Sequence, residues 1–155
     1  MRKRLMQVAM VLVVVVAGAQ LIRFGRTNPP IDPSRTIAAH PGTPAALVAV
    51  LDRACGDCHS NATAWPWYTQ IAPLSWAMAH EAKAGRQAVN FSEWAGYTRE
   101  QQRDLLAQSC QDATSGRMPW EAWIRLHPEA KLSAADVEMI CAAARQAGAV
   151  AAHAP

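Results

Sequence analysis

Cys55-Gly56-Asp57-Cys58-His59 limits what this chain can fold into more than any other stretch. Cys-x-x-Cys-His is the attachment signature of a c-type haem. In that chemistry the two thiols add to the two vinyl groups on one edge of the porphyrin, which explains the short spacing. The adjacent histidine then ligates the iron from the proximal side. A chain built on this motif has to wrap a rigid, flat disc. Two other chemistries use a Cys-x-x-Cys pair. A structural zinc site takes four ligands, usually from a second close pair, whereas Cys110 and Cys141 are isolated singles. A thiol redox pair expects a βαβ surround, and this chain shows almost no period-2 strand pattern.

Haem is joined to such motifs outside the bacterial cytoplasm, so the N-terminus matters next. Arg2-Lys3-Arg4 precedes an apolar stretch from Leu5 to Ile22. As a helix it would span about 27 Å, close to the ~30 Å of a bilayer core. Its length suits an uncleaved anchor, while Ala17-Gly18-Ala19 suits signal cleavage. The anchor is preferred, which predicts a periplasmic protein held at the inner membrane; the alternative is a soluble periplasmic one. Arg23, Arg26 and Arg35 balance the basic residues at the other end, so charge does not set the orientation.

The net charge of +3 misleads about partners. Five of the fifteen basic residues lie in residues 1–26, leaving ten basic against twelve acidic residues from Thr27 onward, a net of −2. No basic run remains, so nucleic acid is not an expected partner. The basic flanks suit lipid headgroups.

The predicted organisation is a signal or membrane segment at 1–26, a proline-rich spacer at 27–43, a haem-binding domain at 44–148 and a tail at 149–155. The spacer carries Pro29, Pro30, Pro33 and Pro41. It would be either extended, reaching on the order of 50 Å, or a strap lying along the domain. The domain reads as helices. Thr43 is placed as cap of a first helix, with Pro44 at its first position and apolar residues from Leu47 to Ala54. Ser75 is placed as cap of a second helix after Pro73. Thr98-Arg99-Glu100-Gln101 opens a third as a capping box. Ser133 caps a last helix that Gly148 would close. The expected fold is all-α: a small, cytochrome c-like helical domain around one haem.

The best candidate for the second axial position is Met118, between Gly116 and Pro119 in a predicted loop. His80, within a helix, is the alternative. His127 precedes Pro128 and reads as a loop residue near the site, while His40 and His153 lie in spacer and tail. Of six tryptophans, Trp65 and Trp67 flank the haem motif and are expected to contact the porphyrin. Arg86, Arg117 and Arg125 are possible propionate partners. Cys110 and Cys141, in an oxidising compartment, are expected to form a disulfide worth roughly 3–4 kcal/mol on the chain-entropy model; two buried free thiols are the alternative.

Beyond the motif, the chain resembles the haem-binding domain family of small exported cytochrome c-like proteins. The matching strings are Cys55-x-x-Cys58-His59-Ser60-Asn61-x-Thr63-x-Trp65-Pro66-Trp67-Tyr68, Asn90-Phe91-Ser92-Glu93-Trp94, Gly116-x-Met118-Pro119 and Leu126-His127-Pro128-x-Ala130-x-Leu132-Ser133. They extend over about 28–146. The resemblance implies a helical domain with one covalent haem c behind an N-terminal membrane segment. Similar members can carry the two late cysteines, which fits a bridge. The function expected is electron transfer to unidentified redox proteins of the periplasm or inner membrane, rather than enzyme catalysis. The competing class is a small-ligand sensor or peroxidase-like enzyme with an open sixth iron position, for which His80 or His127 would supply acid-base groups.

Overall fold

The computed structural model describes residues 1–152; His153 and the rest of the predicted tail after it lie outside them. Among the described residues the backbone is helix and turn without a strand, so the all-α expectation holds. The α helices are α1 (Arg2–Ala19), α2 (Ala45–Ala54), the single turn α3 (Gly56–His59), α4 (Leu74–Ala88), α5 (Arg99–Thr114), α6 (Glu121–Leu126) and α7 (Ala134–Ala152). Short 3-10 turns fill most of the connections.

The expected membrane span is not met. Helix α1 stops at Ala19, so its apolar part is Leu5–Ala19, and Arg2-Lys3-Arg4 occupy its first turn. Among the described residues no helix is long and apolar enough to cross a membrane. None of the residues of α1 is buried.

The spacer is a strap. It holds two 3-10 turns, Pro33–Arg35 and Ile37–Ala39. Ile37 is buried in the main core, and Arg35 Nε donates to Glu93 at 2.9 Å. Residues before and at the start of the strap also clasp the domain. Trp76 donates its indole N–H to Ile22 O at 2.9 Å, Arg26 donates to Thr69 O at 2.6 Å, and Asn28 to Thr63 O at 2.8 Å.

Two helix starts differ from expectation. Helix α2 begins at Ala45 behind Pro44, with no side-chain cap from Thr43. Pro73, not Ser75, precedes α4, and Ser75 is buried inside its first turn. Proline occupies the cap position at both starts and has no side-chain acceptor, so neither first turn receives a side-chain cap. Thr98 and Gln101 do form the full capping box of α5. At α7, Asp136 N–H donates to Ser133 Oγ at 3.2 Å and Ser133 N–H to Asp136 Oδ2 at 2.8 Å. Helix α7 runs through Gly148 to Ala152 rather than closing there.

Apolar spacing on these helices builds two clusters. One joins Leu47, Val50 and Leu51 of α2 to Phe91, Trp94, Leu106 of α5 and Ile140 of α7. Each such buried side chain contributes on the order of 1.5–3 kcal/mol. Cys110 and Cys141 are bonded to each other, with Cα atoms 4.7 Å apart, which staples α5 to α7. The smaller cluster joins Met78 of α4, Trp123 of α6 and Ala130, with Trp65 and Tyr68 against it. Between the two lies a cleft.

Candidate cofactor site

Cys55 ends α2, and α3 starts at the next residue. Cys58 N–H and His59 N–H both donate to Cys55 O, at 3.2 and 2.9 Å. That single turn puts Cys55, Cys58 and His59 on one face, because residues three and four apart are helical neighbours. All three line a cleft of about 320 Å³, walled by α4, the Phe91 turn, α5 and the Met118–Trp123 segment.

Gly85 sets how close α4 comes. A Cβ there would lie 2.4 Å from Cys58 O and 2.8 Å from its carbonyl carbon. Only glycine lets the backbone of α4 touch the backbone of the motif. Arg86, the next residue, holds the chain leaving the motif: its guanidinium donates to Ser60 O at 2.7 Å, Thr63 Oγ1 at 2.7 Å and Asn28 Oδ1 at 2.9 Å. It is thus not free for a propionate. Arg117 and Arg125 pair with Asp112 and Glu121.

His59 is buried, and burial pushes its imidazole below the usual 6.5 despite the backbone carbonyls of Val89 and Gly85. The ring is neutral at neutral pH. Its Nδ1 lies 3.3 Å from Val89 O. With the proton on Nδ1 donated there, Nε2 keeps its lone pair, as a metal-ligating histidine requires. Cys55 and Cys58 are not bonded to each other. Burial, the main cause, raises them to about 12 and about 11. They are protonated thiols, whereas a reactive redox pair needs a thiolate. Among the described residues no three His, Cys, Asp or Glu side chains group as a metal site, so the zinc reading finds no ligand set.

Met118 reaches the cleft through a helix ending. Gly116, at φ +69°, terminates α5 in the left-handed region. Gly116 N–H donates to Ala113 O and Arg117 N–H to Asp112 O, the paired bonds of a Schellman motif. The chain thereby turns back, and Met118 lines the cleft while remaining 42% exposed.

Other expected contacts are not made. His80 is exposed on α4 and does not line the cleft, since Met78, Glu81 and Gly85 occupy that face. Trp67 is 76% exposed, and Trp65 donates its indole N–H to Asn28 Oδ1 at 3.1 Å outside the cleft. Trp120 and Trp123 line it instead. His127 stacks on the back of Trp123, ring centroids 3.7 Å apart. Sequence reasoning also missed the walls that α5 and the end of α4 supply, among them Leu105 and Val89. These carry no local signal other than helical apolar spacing.

The polar strings after the motif act as a brace. Asn61 is 2% exposed; its N–H donates to Ser92 Oγ at 3.0 Å, and its carbonyl accepts from Asn90 Nδ2 at 2.8 Å. Thr63 donates to Asp57 O at 2.7 Å, and Ala64 N–H to the Asp57 carboxylate at 2.7 Å. Buried polar groups cost free energy unless paired, and here they pair across the motif.

A neutral buried histidine, two free thiols on the same turn, a methionine on the lining and a largely apolar slot fit a haem. The model of the haem-binding domain matches residues 14–146. No curated protein and no solved structure matches the chain. With most of its length matched, on a fold built around the motif, the chain belongs to the haem-binding domain family.

Proposed function

We propose that the protein is an exported monohaem cytochrome of c type that carries single electrons. The observation behind this is that Cys55, Cys58 and His59 share one helical turn at the wall of an apolar cleft that Met118 also lines. Cys55 and Cys58 would hold the porphyrin as thioethers, and His59 would ligate the iron through Nε2. Met118 would fill the sixth position, which raises the reduction potential and suits electron transfer. When bound, the haem supplies the one-electron couple. The protein's residues orient it, exclude water from it and set its potential. The sensor or peroxidase alternative loses support, because His80 and His127 do not line the cleft. Export rests on the basic N-terminus, the apolar Leu5–Ala19 and the small residues Ala17-Gly18-Ala19, which together suit a signal segment. The redox partners would then lie in the periplasm or at the inner membrane.

The test is retention of haem through acidified-solvent extraction, followed by absorption spectra of both redox states with and without carbon monoxide. Covalent haem remains with the chain, and Cys55→Ala with Cys58→Ala releases it. A spectrum indifferent to carbon monoxide, becoming high-spin and responsive in Met118→Ala, is expected. A wild-type spectrum that already shifts with carbon monoxide would overturn the Met118 role.

A further inference from the structure

Behind the cleft stands a group that neither haem attachment nor iron ligation uses. Trp123 lines the cleft. His127 stacks on it at 3.7 Å and 13°. His127 Nδ1 lies 2.9 Å from Glu129 Oε1, and its Nε2 is hydrogen-bonded to the Tyr68 hydroxyl. A carboxylate only accepts, so Nδ1 carries the proton toward Glu129, and Nε2 accepts from the Tyr68 O–H. Tyr68 in turn meets Trp67 edge-on at 6.1 Å, and Trp67 is 76% exposed. An unbroken row of aromatic rings thus runs from the cofactor cleft to solvent.

We infer that Trp123, His127, Tyr68 and Trp67 form a proton-coupled electron relay between cleft and surface, with Tyr68 as the residue oxidised. A phenol is far easier to oxidise when its proton leaves with the electron, and here the acceptor is already hydrogen-bonded. A strong one-electron oxidant of the peroxide-derived radical class, arriving at Trp67, takes one electron from Tyr68. The Tyr68 O–H bond breaks, and the proton bonds to His127 Nε2, giving an imidazolium held by the Glu129 carboxylate. The neutral phenoxyl is refilled by one electron drawn past Trp123 from the ferrous cofactor, which becomes ferric, and the proton returns to Tyr68. The refilling half rests on the proposed haem; the oxidation half does not.

The intact chain is photo-oxidised with a ruthenium polypyridyl and a sacrificial acceptor, and the radical is read by electron paramagnetic resonance. Tyrosine occurs twice, at 68 and 97. A tyrosyl signal lost in Tyr68→Phe and kept in Tyr97→Phe is expected. Removing the base in His127→Phe should slow its formation roughly 10²-fold, the scale of a positioned general base. Glu129→Gln, which alters only an exposed carboxylate, should slow it in the same direction should the histidine variant fail to fold. A signal on Tyr97 or on tryptophan, or a Tyr68 radical indifferent to both His127 and Glu129 variants, overturns the relay. Because the oxidant is supplied from solution, a chain that loads no haem would count against the proposed function and leave this readout intact. In the reduced, haem-loaded chain the radical should decay as the haem oxidises, and a radical persisting beside reduced haem overturns the link to the cleft.

Discussion

Gly85 is the residue on which the site's closeness depends. In Gly85→Ala the new methyl would meet the Cys58 carbonyl, which is backbone and has no rotamer to give way. Either α4 or α3 has to shift. Overpacking of this kind costs about 1–3 kcal/mol, and the displaced wall should also lower haem loading. Denaturant unfolding with absorbance per chain checks both; wild-type stability and full loading would refute the packing argument. That Cys55, Cys58 and His59 come together at the cleft was legible from spacing alone, because residues three and four apart share one helical turn. That Met118 leaves helix α5 and reaches the cleft was legible from the helix-ending glycine before it and the proline after it. Trp65 and Trp67 were misread, since nearness in sequence to the motif is not nearness to the cleft. The chain turns away at Pro66, and tryptophans some sixty residues later fill the place.

Among the elements, α7 depends on its start. Hydrogen bonds from the Ser133 backbone and hydroxyl, with Arg53 adding to them, hold the Asp136 carboxyl below its ordinary 3.8. A carboxylate lowered on folding stabilises the fold above its unfolded value, and that contribution fades as pH falls through the folded one. Asp136→Asn should therefore cost about 1 kcal/mol at neutral pH, the scale of a lost cap. The difference from wild type should close as pH falls from above 3.8 through the lower folded value. Melting both proteins across that range checks the sign, and an acid-independent difference would contradict it. The same Asp136 pairs with Arg53 at 2.9 Å, so the cap also ties α7 to α2 and hence to the motif. Helix starts marked by Thr98 and Ser133 were readable because capping is local. Those at Pro44 and Pro73 were displaced because proline replaces a hydroxyl cap.

At the scale of the molecule, α1 buries nothing, whereas residues from Gln20 to Pro30 clasp the domain. A chain beginning at Gln20 should therefore match the full chain in stability to within about 0.5 kcal/mol. One beginning at Asp32 loses the bonds of Arg26, Asn28 and Pro30 and should fall by on the order of 2–4 kcal/mol. Thermal unfolding of the two truncations decides, and equal melting would show the clasp to be incidental. By itself the sequence determined the clustering of Cys55, Cys58 and His59 on one turn, the all-helical class and the turn that brings Met118 to the cleft, because each depends on residues within a few positions of one another. Only the tertiary structure decided that the proline-rich segment is a strap, that Trp120 and Trp123 wall the cleft, and that Arg86 braces the motif. Those outcomes depend on which surfaces meet across distant parts of the chain, and a packed contact between residues 28, 63 and 86 leaves no periodic trace in any one of them.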